Sequence, residues 1–267
     1  MQDGNQVIKP LISRVYESNQ FNQALDESLH PGGLDLTARA AEIAGIKEHS
    51  VVLDIASGRG TTARFLSQEY GCRVTGIDLS SLSASLAHAK SSVQELDCYT
   101  SFIASDAESL PFAGSSFDFV ISECSFSLLP RKRLAAMEIA RVLKPGGKLI
   151  ITDVILKHPL SRELRDELTF ECCFSGAETE EGYVRIFEEA GLGRLYSEDH
   201  STALKKVTYQ VIAGYGSLAS FWEQFGSRTG PCCFSEQNTG DSRRLWMRMF
   251  REGKPGYGLM AFNRFPR

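Results

Sequence analysis

Short apolar runs alternate with helix-periodic stretches through the middle of the chain. The run SVVLDIA (50–56) ends next to an acid, passes through SGRG and gives way to the helical stretch TTARFLSQEY. CRVTGIDLS (72–80) is a second run with an acid at its end. It is followed by SLSASLAHAKSSVQEL, a helix with Leu82, Leu86 and Ala87 on its expected apolar face. YTSFIASDA (99–107) predicts a third strand and SFDFVISECS a fourth. RKRLAAMEIARVL predicts a helix stopped by KPGG, where Gly146 and Gly147 suit a helix end, and KLIITDVI a fifth strand. Strands this uniformly apolar are buried on both faces, and their alternation with helices implies a parallel sheet with helices on both sides. Right-handed crossovers then give an α/β, doubly wound architecture.

The flanks are less regular. Residues 1–30 read as one or two helices forming an N-terminal lid, 31–155 as the core, and 156–267 as a C-terminal region that binds substrate and completes the same sheet. In that last region RELRDELTFECCF reads as helix. ETEEGYVRIFEEAGLG is a helix with Tyr183, Ile186, Phe187 and Ala190 as its apolar stripe. ALKKVTYQVIAGYGSLASFWEQFG is mainly helical, SEQNTGDS (235–242) a loop, and GYGLMAFNRF (256–265) a closing strand. Trp222 and Trp246 read as core.

Composition narrows the class. The 267 residues are 42% hydrophobic and 23% charged with a net charge of −4, a globular balance with no basic block to favour nucleic acid. No run approaches the length of a membrane span, and the N-terminus lacks a signal-peptide pattern, so the expectation is a soluble cytoplasmic protein with no membrane partner. Seven cysteines in a chain of this size do not make a disulfide framework. Neither doublet, Cys172–Cys173 or Cys232–Cys233, has the spacing of a structural zinc site.

The candidate chemistry lies at the strand ends. Asp54 closes the first strand, and Gly58 and Gly60 occupy the turn before the next helix. Glycines there let a ligand approach the backbone, although a plain tight turn is the simpler reading of that segment alone. Asp78 ends the second strand, where an acid accepts hydrogen bonds from ribose hydroxyls. Asp106 ends the third, where an acid accepts from an adenine amino group.

LDIASGRG, GIDLS, SDAESLPFAGSSFDFVIS and RVLKPGGKLIITD together resemble the class I S-adenosylmethionine (SAM)-dependent methyltransferases over residues 50–155. The resemblance implies a Rossmann-like, mainly parallel seven-stranded sheet, SAM as cofactor and S-adenosylhomocysteine (SAH) as product. It places Asp54 and the backbone of Ala56, Ser57, Gly58 and Gly60 around the methionine part. Asp78 falls on the ribose with Leu79 beside the adenine, Asp106 and Ala107 on the adenine edge, and Glu123 near the methionine amine. The family usually has glycine where Ala56 stands.

VISECSFSLLP and ECCFSGA resemble a narrower group, the arsenite methyltransferases. That resemblance makes Cys124 and Cys173 thiolate ligands of trivalent arsenic, with Cys172 as the near alternative; outside it, the GPCCF pair of Cys232 and Cys233 offers either a third thiolate or a loading site. A reducing thiol would be co-substrate. Soft arsenic prefers thiolates, and its lone pair would attack the SAM methyl in line without a general base. The group's cysteines ahead of the SAM motif are missing, and Glu123 replaces its asparagine. The bland reading of each cysteine is packing, which is the expectation for Cys72 and Cys98. His30, His49, His88, His158 and His200 are scattered and read as surface or structural. The loop HPGGLDLT (30–37) either turns the chain or lines the SAM carboxylate, and Tyr16 is a candidate cap over the pocket.

Three functions follow: methylation of arsenic or a related soft metalloid, methylation of a small organic acceptor with structural cysteines, and non-catalytic metalloid binding. The pattern leaves the oligomeric state open.

Overall fold

The computed structural model describes residues 5–25, 29–167, 173–226 and 239–265. Two helices, α1 (Asn5–Glu17) and α2 (Asn19–Ala24), precede α3 (Gly33–Ala44). The core then alternates β1 (Val51–Ile55), α4 (Thr61–Tyr70), β2 (Arg73–Asp78), α5 (Ser81–Val93), β3 (Thr100–Ala104) and β4 (Phe117–Glu123). A 3₁₀ turn at Phe126–Leu128 leads into α6 (Lys132–Val142) and the long β5 (Leu143–Leu156). Beyond it come α7 (Arg162–Glu167), the two-residue β6 (Glu178–Thr179), α8 (Glu180–Glu189) and β7 (Leu192–Asp199). The chain closes with α9 (Ser201–Tyr215), α10 (Leu218–Gly226), α11 (Thr239–Gly253) and β8 (Pro255–Arg264).

The strands form one sheet in the order β3-β2-β1-β4-β5-β8-β7, with β6 pairing beside β5. β1 to β5 are parallel, and β8 runs antiparallel between β5 and β7. This is the doubly wound, Rossmann-like α/β fold. The switch in strand order falls between β1 and β4, whose carboxyl ends open a crevice where ligands bind in such sheets.

Successive strand residues serve opposite faces, as the pleat requires. Val52, Ile121 and Ile150 join one buried cluster with α3, α4 and the C-terminal helices. Leu53, Val120, Leu149 and Ile151 join the other with α6 and α8. Tyr183 and Phe187 are buried in that second cluster, and Trp222 and Trp246 in the first.

The structure departs from the sequence expectations at four places. α6 ends at Val142, and KPGG is no helix stop but an excursion inside β5. Leu143 already pairs with Phe117 and Lys148 with Phe119, so residues 144–147 loop out of the ladder. Gly146 takes φ +78°, and a Cβ on Gly147 would lie 2.9 Å from the Asp118 carbonyl oxygen. On α5 the buried face is Ser83, Ala84, Ala87 and Ser91, while Leu82 is exposed. Small residues let this helix approach the sheet closely. Cys98 is exposed rather than packed in the core, whereas Cys72 is buried. Residues 239–242 open α11; the rest of the loop expected at 235–242 lies outside the described residues.

Candidate active site

The turn after β1 is built for close approach. Ala56, Gly58 and Gly60 all have positive φ, at 57°, 52° and 74°. Ser57 N–H donates to the Ile77 carbonyl (2.9 Å), Gly58 N–H to Asp78 Oδ2 (2.9 Å) and Gly60 N–H to the Ser57 carbonyl (2.8 Å). The turn is thereby tied to the end of β2 and delivers the chain into α4. Gly60 is required twice over: besides its φ, a Cβ there would lie 2.6 Å from the Phe102 ring. Ala56 places an L-residue where glycine is favoured, which costs about 1 kcal/mol.

A cavity of about 150 Å³ opens beside this turn. Asp54, Ala56, Ser57, Gly58, Asp78, Leu79, Asp106, Ala107, Glu123 and Cys124 all line it. Gly60 is not among the lining residues, although its neighbours Arg59 and Thr61 are. Asp78 Oδ1 accepts from Ser80 N–H (2.9 Å), so both its oxygens hold backbone and its carboxylate cannot rotate away. Asp106 Oδ1 accepts from Glu108 N–H (2.9 Å) and Oδ2 from Lys9 Nζ (2.7 Å) on α1. Lys9 also pairs with Glu108, whose fully buried carboxylate accepts from Arg131 N–H and Nε, each at 2.7 Å.

Sequence reasoning missed Lys9 and underrated His30. Lys9, Ser13 and Tyr16 all line the cavity from one face of α1, a helical spacing that is legible only once α1 is known to cover the site. Ser80 Oγ donates to Glu17 Oε1 (2.6 Å), and Arg59 donates to the Glu17 carbonyl (3.0 Å) and Asn19 Oδ1 (2.6 Å). These contacts fasten α1 and α2 over the cavity.

Glu123, at the end of β4, is held from three elements. Thr62 Oγ1 donates to Oε2 (2.6 Å), Thr37 Oγ1 to Oε1 (2.9 Å), and His30 Nε2 lies 3.3 Å from Oε2. The next residue, Cys124, turns out of the strand at φ +50°, with its N–H bonded to the Thr152 carbonyl (2.6 Å). Its side chain is half-buried on the cavity wall. Cys173 is buried in the core cluster with Phe174 and Trp246 and is not among the lining residues. Cys172, Cys232 and Cys233 lie outside the described residues. Among the described residues, no group of three His, Cys, Asp or Glu side chains could hold a metal ion. Burial pushes the Cys72 thiol up to about 11, in keeping with a packing role.

The electrostatics ask for a cation. Asp54 is 3% exposed and its Oδ2 has no hydrogen-bond partner. Burial first, then the charges of Glu123 and Asp78, hold its carboxyl well above the usual range. A buried unpaired acceptor beside two further acids is costly unless a positive ligand arrives. SAM carries an ammonium and a sulfonium, and the acids with the glycine turn match its methionine end, while Asp78 and Asp106 match its nucleoside. Bound there, SAM supplies an electrophilic methyl group on sulfur.

Comparison with known proteins agrees. Residues 53–151 match the model of the methyltransferase domain family. The fatty-acid O-methyltransferase of Mycolicibacterium smegmatis is 31% identical over 95% of this chain and 78% of its own length. An arsenite methyltransferase of Aquipseudomonas alcaligenes is 32% identical over 64% of this chain but 48% of its own length. Several curated relatives are covered over less than two thirds of their own length. Among solved structures, phosphoethanolamine N-methyltransferase 2 of Haemonchus contortus superposes with a TM-score of 0.73 in its complex with SAM and 0.72 in its complex with phosphomonomethylethanolamine and SAH. It is 21% identical and covers 97% of this chain and 60% of that one. No helix among the described residues is long and apolar enough to cross a membrane. With the acids, the glycine turn and these matches in agreement, the chain belongs to the class I SAM-dependent methyltransferases.

Proposed function

We propose that this enzyme transfers the SAM methyl group to a small, largely apolar organic acceptor. The observation that carries the reading is the composition of the cavity wall. Beyond the SAM-type acids and the glycine turn it includes an apolar patch of Ile12, Tyr16, Leu29, Leu128, Leu129 and Pro130 and one thiol, Cys124, beside polar groups such as Ser13, Asn22 and His30. Burial of an apolar acceptor against such a wall contributes roughly 25 cal/mol per Å², enough to fix a weakly polar molecule over the methyl group. The relative matched over nearly the whole chain is named as a fatty-acid O-methyltransferase, which points the same way.

A second reading keeps trivalent arsenic as acceptor. Cys124 on the wall and the relatives named as arsenite methyltransferases favour it. It needs further soft donors at the cavity. Cys173 would have to leave its buried site, or the thiolates would have to come from Cys172, Cys232 or Cys233.

Methyl-labelled SAM separates the two. The enzyme is incubated with arsenite and a reducing thiol, and in parallel with medium-chain fatty acids, alkanols and alkylphenols. The expected outcome is labelled ester or ether, with Cys124→Ser retaining activity within about threefold, as fits a wall contact rather than a ligand. Methylated arsenic from the wild type that disappears in Cys124→Ser reverses the assignment.

A further inference from the structure

His30 and Glu123 form a buried pair at the wall of the cavity. His30 is 6% exposed and lines the cavity. Its Nε2 lies 3.3 Å from Glu123 Oε2 and 3.5 Å from Thr37 Oγ1, while its Nδ1 is buried with no hydrogen-bond partner. A buried ring nitrogen left unpaired costs about 1–3 kcal/mol, so it calls for a ligand. Glu123 is itself fixed by hydroxyl donors from Thr62 at 2.6 Å and Thr37 at 2.9 Å. A carboxylate held this way orients the imidazole with Nε2–H towards it and leaves Nδ1 as a free acceptor. That is the arrangement of a base oriented by an acid.

We infer that His30 is the general base of the methyl transfer and that the acceptor is a hydroxyl compound. The inference rests on the organic-acceptor reading above. Among the residues lining the cavity, His30 is the one imidazole, the side chain most often used for general acid–base work. The acids Asp54, Asp78, Asp106 and Glu123 are matched to the cofactor or to Lys9, Thr37 and Thr62. In the step, the acceptor oxygen attacks the methyl carbon as the carbon–sulfur bond breaks, and the sulfonium electron pair returns to sulfur. The hydroxyl proton passes to Nδ1, and Glu123 balances the imidazolium until solvent removes the proton. Products are the methyl ether, neutral SAH and one proton. A carboxylate or arsenite acceptor would need no such base.

The test uses the full chain with methyl-labelled SAM and four probes: 4-octylphenol, 1-decanol, decanoate and arsenite. His30→Gln, His30→Ala and the wild type are compared, with SAH affinity measured by calorimetry. Expected are a labelled ether from a hydroxyl probe and a fall in kcat of about 100-fold or more in His30→Gln. SAH affinity should stay within about threefold, and added imidazole should restore activity to His30→Ala. Unchanged kcat in His30→Gln overturns the inference. So does a loss confined to SAH affinity, which makes His30 a cofactor anchor. Methylation of decanoate alone removes the need for a base but leaves the organic-acceptor reading standing. Methylation of arsenite alone, or of no probe despite SAH binding, overturns both.

Discussion

The cofactor side and the acceptor side of the cavity are made differently. The side proposed for the cofactor comes from the strand ends and the glycine turn, where Asp78 is held by Gly58 and Ser80 N–H and Asp106 by Glu108 N–H. The acceptor side is gathered from α1, the loop at 29–30 and the 3₁₀ turn at Phe126–Leu128, joined by side-chain contacts such as Lys9 with Asp106 and Glu108. A rigid half can hold one cofactor in one pose. A half assembled from separate segments can be reshaped for a new acceptor without touching the sheet, as expected where one fold serves many substrates.

If that contrast holds, the largest effects come from the cofactor turn. Gly60→Val forces a side chain into Phe102 at a left-handed backbone position. It should cost about 3 kcal/mol or more in urea denaturation; a milder loss would mean the turn is less rigid than drawn.

A comparably sensitive group lies behind the acceptor side, where it holds the 3₁₀ turn. Asp153 on β5 is buried, and burial raises its carboxyl to about 6 even though Ser127 N–H donates to it at 2.8 Å. Because the folded value lies above the ordinary one, this residue's contribution is full at low pH and lost as pH rises through about 6. Between about pH 4 and pH 7 the wild type should lose roughly 3 kcal/mol that Asp153→Asn does not lose, read from denaturation midpoints across pH. Parallel pH profiles for the two proteins would contradict it.

Asp78→Asn keeps the shape but gives up one charged acceptor for Gly58 or Ser80 N–H. SAH affinity should fall by about 2 kcal/mol, roughly 30-fold by calorimetry. An equal loss in the wall variant Leu128→Ala would erase the distinction between the two halves. The smallest effect sharpens it: Ala56→Gly removes strain at φ +57° and should stabilise the enzyme by about 0.5 kcal/mol, the gain being reduced by glycine's greater freedom when unfolded. A loss of stability would show that the methyl group is packed rather than strained.

The same contrast decides what the sequence revealed. Strand-end acids and the glycine turn were legible because each lies within one strand–turn–helix unit. His30, Thr37 and Thr62 were not, because their common partner Glu123 is 93, 86 and 61 residues away along the chain. KPGG misled because glycine and proline mark a break without saying whether the ladder resumes beyond it. α5 misled because periodicity weighs large apolar residues, while the helix packs through Ala84, Ala87 and Ser91. Cys124 was marked by its place at a strand end; whether other thiols join it depends on tertiary arrangement, which local pattern does not encode.

The pairing of Asp199 with Gly258 has a consequence for how such an enzyme can change. The chain leaves β7 at Asp199 and re-enters the sheet as β8, the neighbouring strand, with strand axes about 5 Å apart. Everything between is a detour that starts and ends at one fixed gate. Lengthening a detour whose ends are already clamped adds little closure entropy, about 0.6 kcal/mol per doubling. The segment between is therefore open to wholesale replacement, as an exchangeable cassette behind a cofactor platform that stays put.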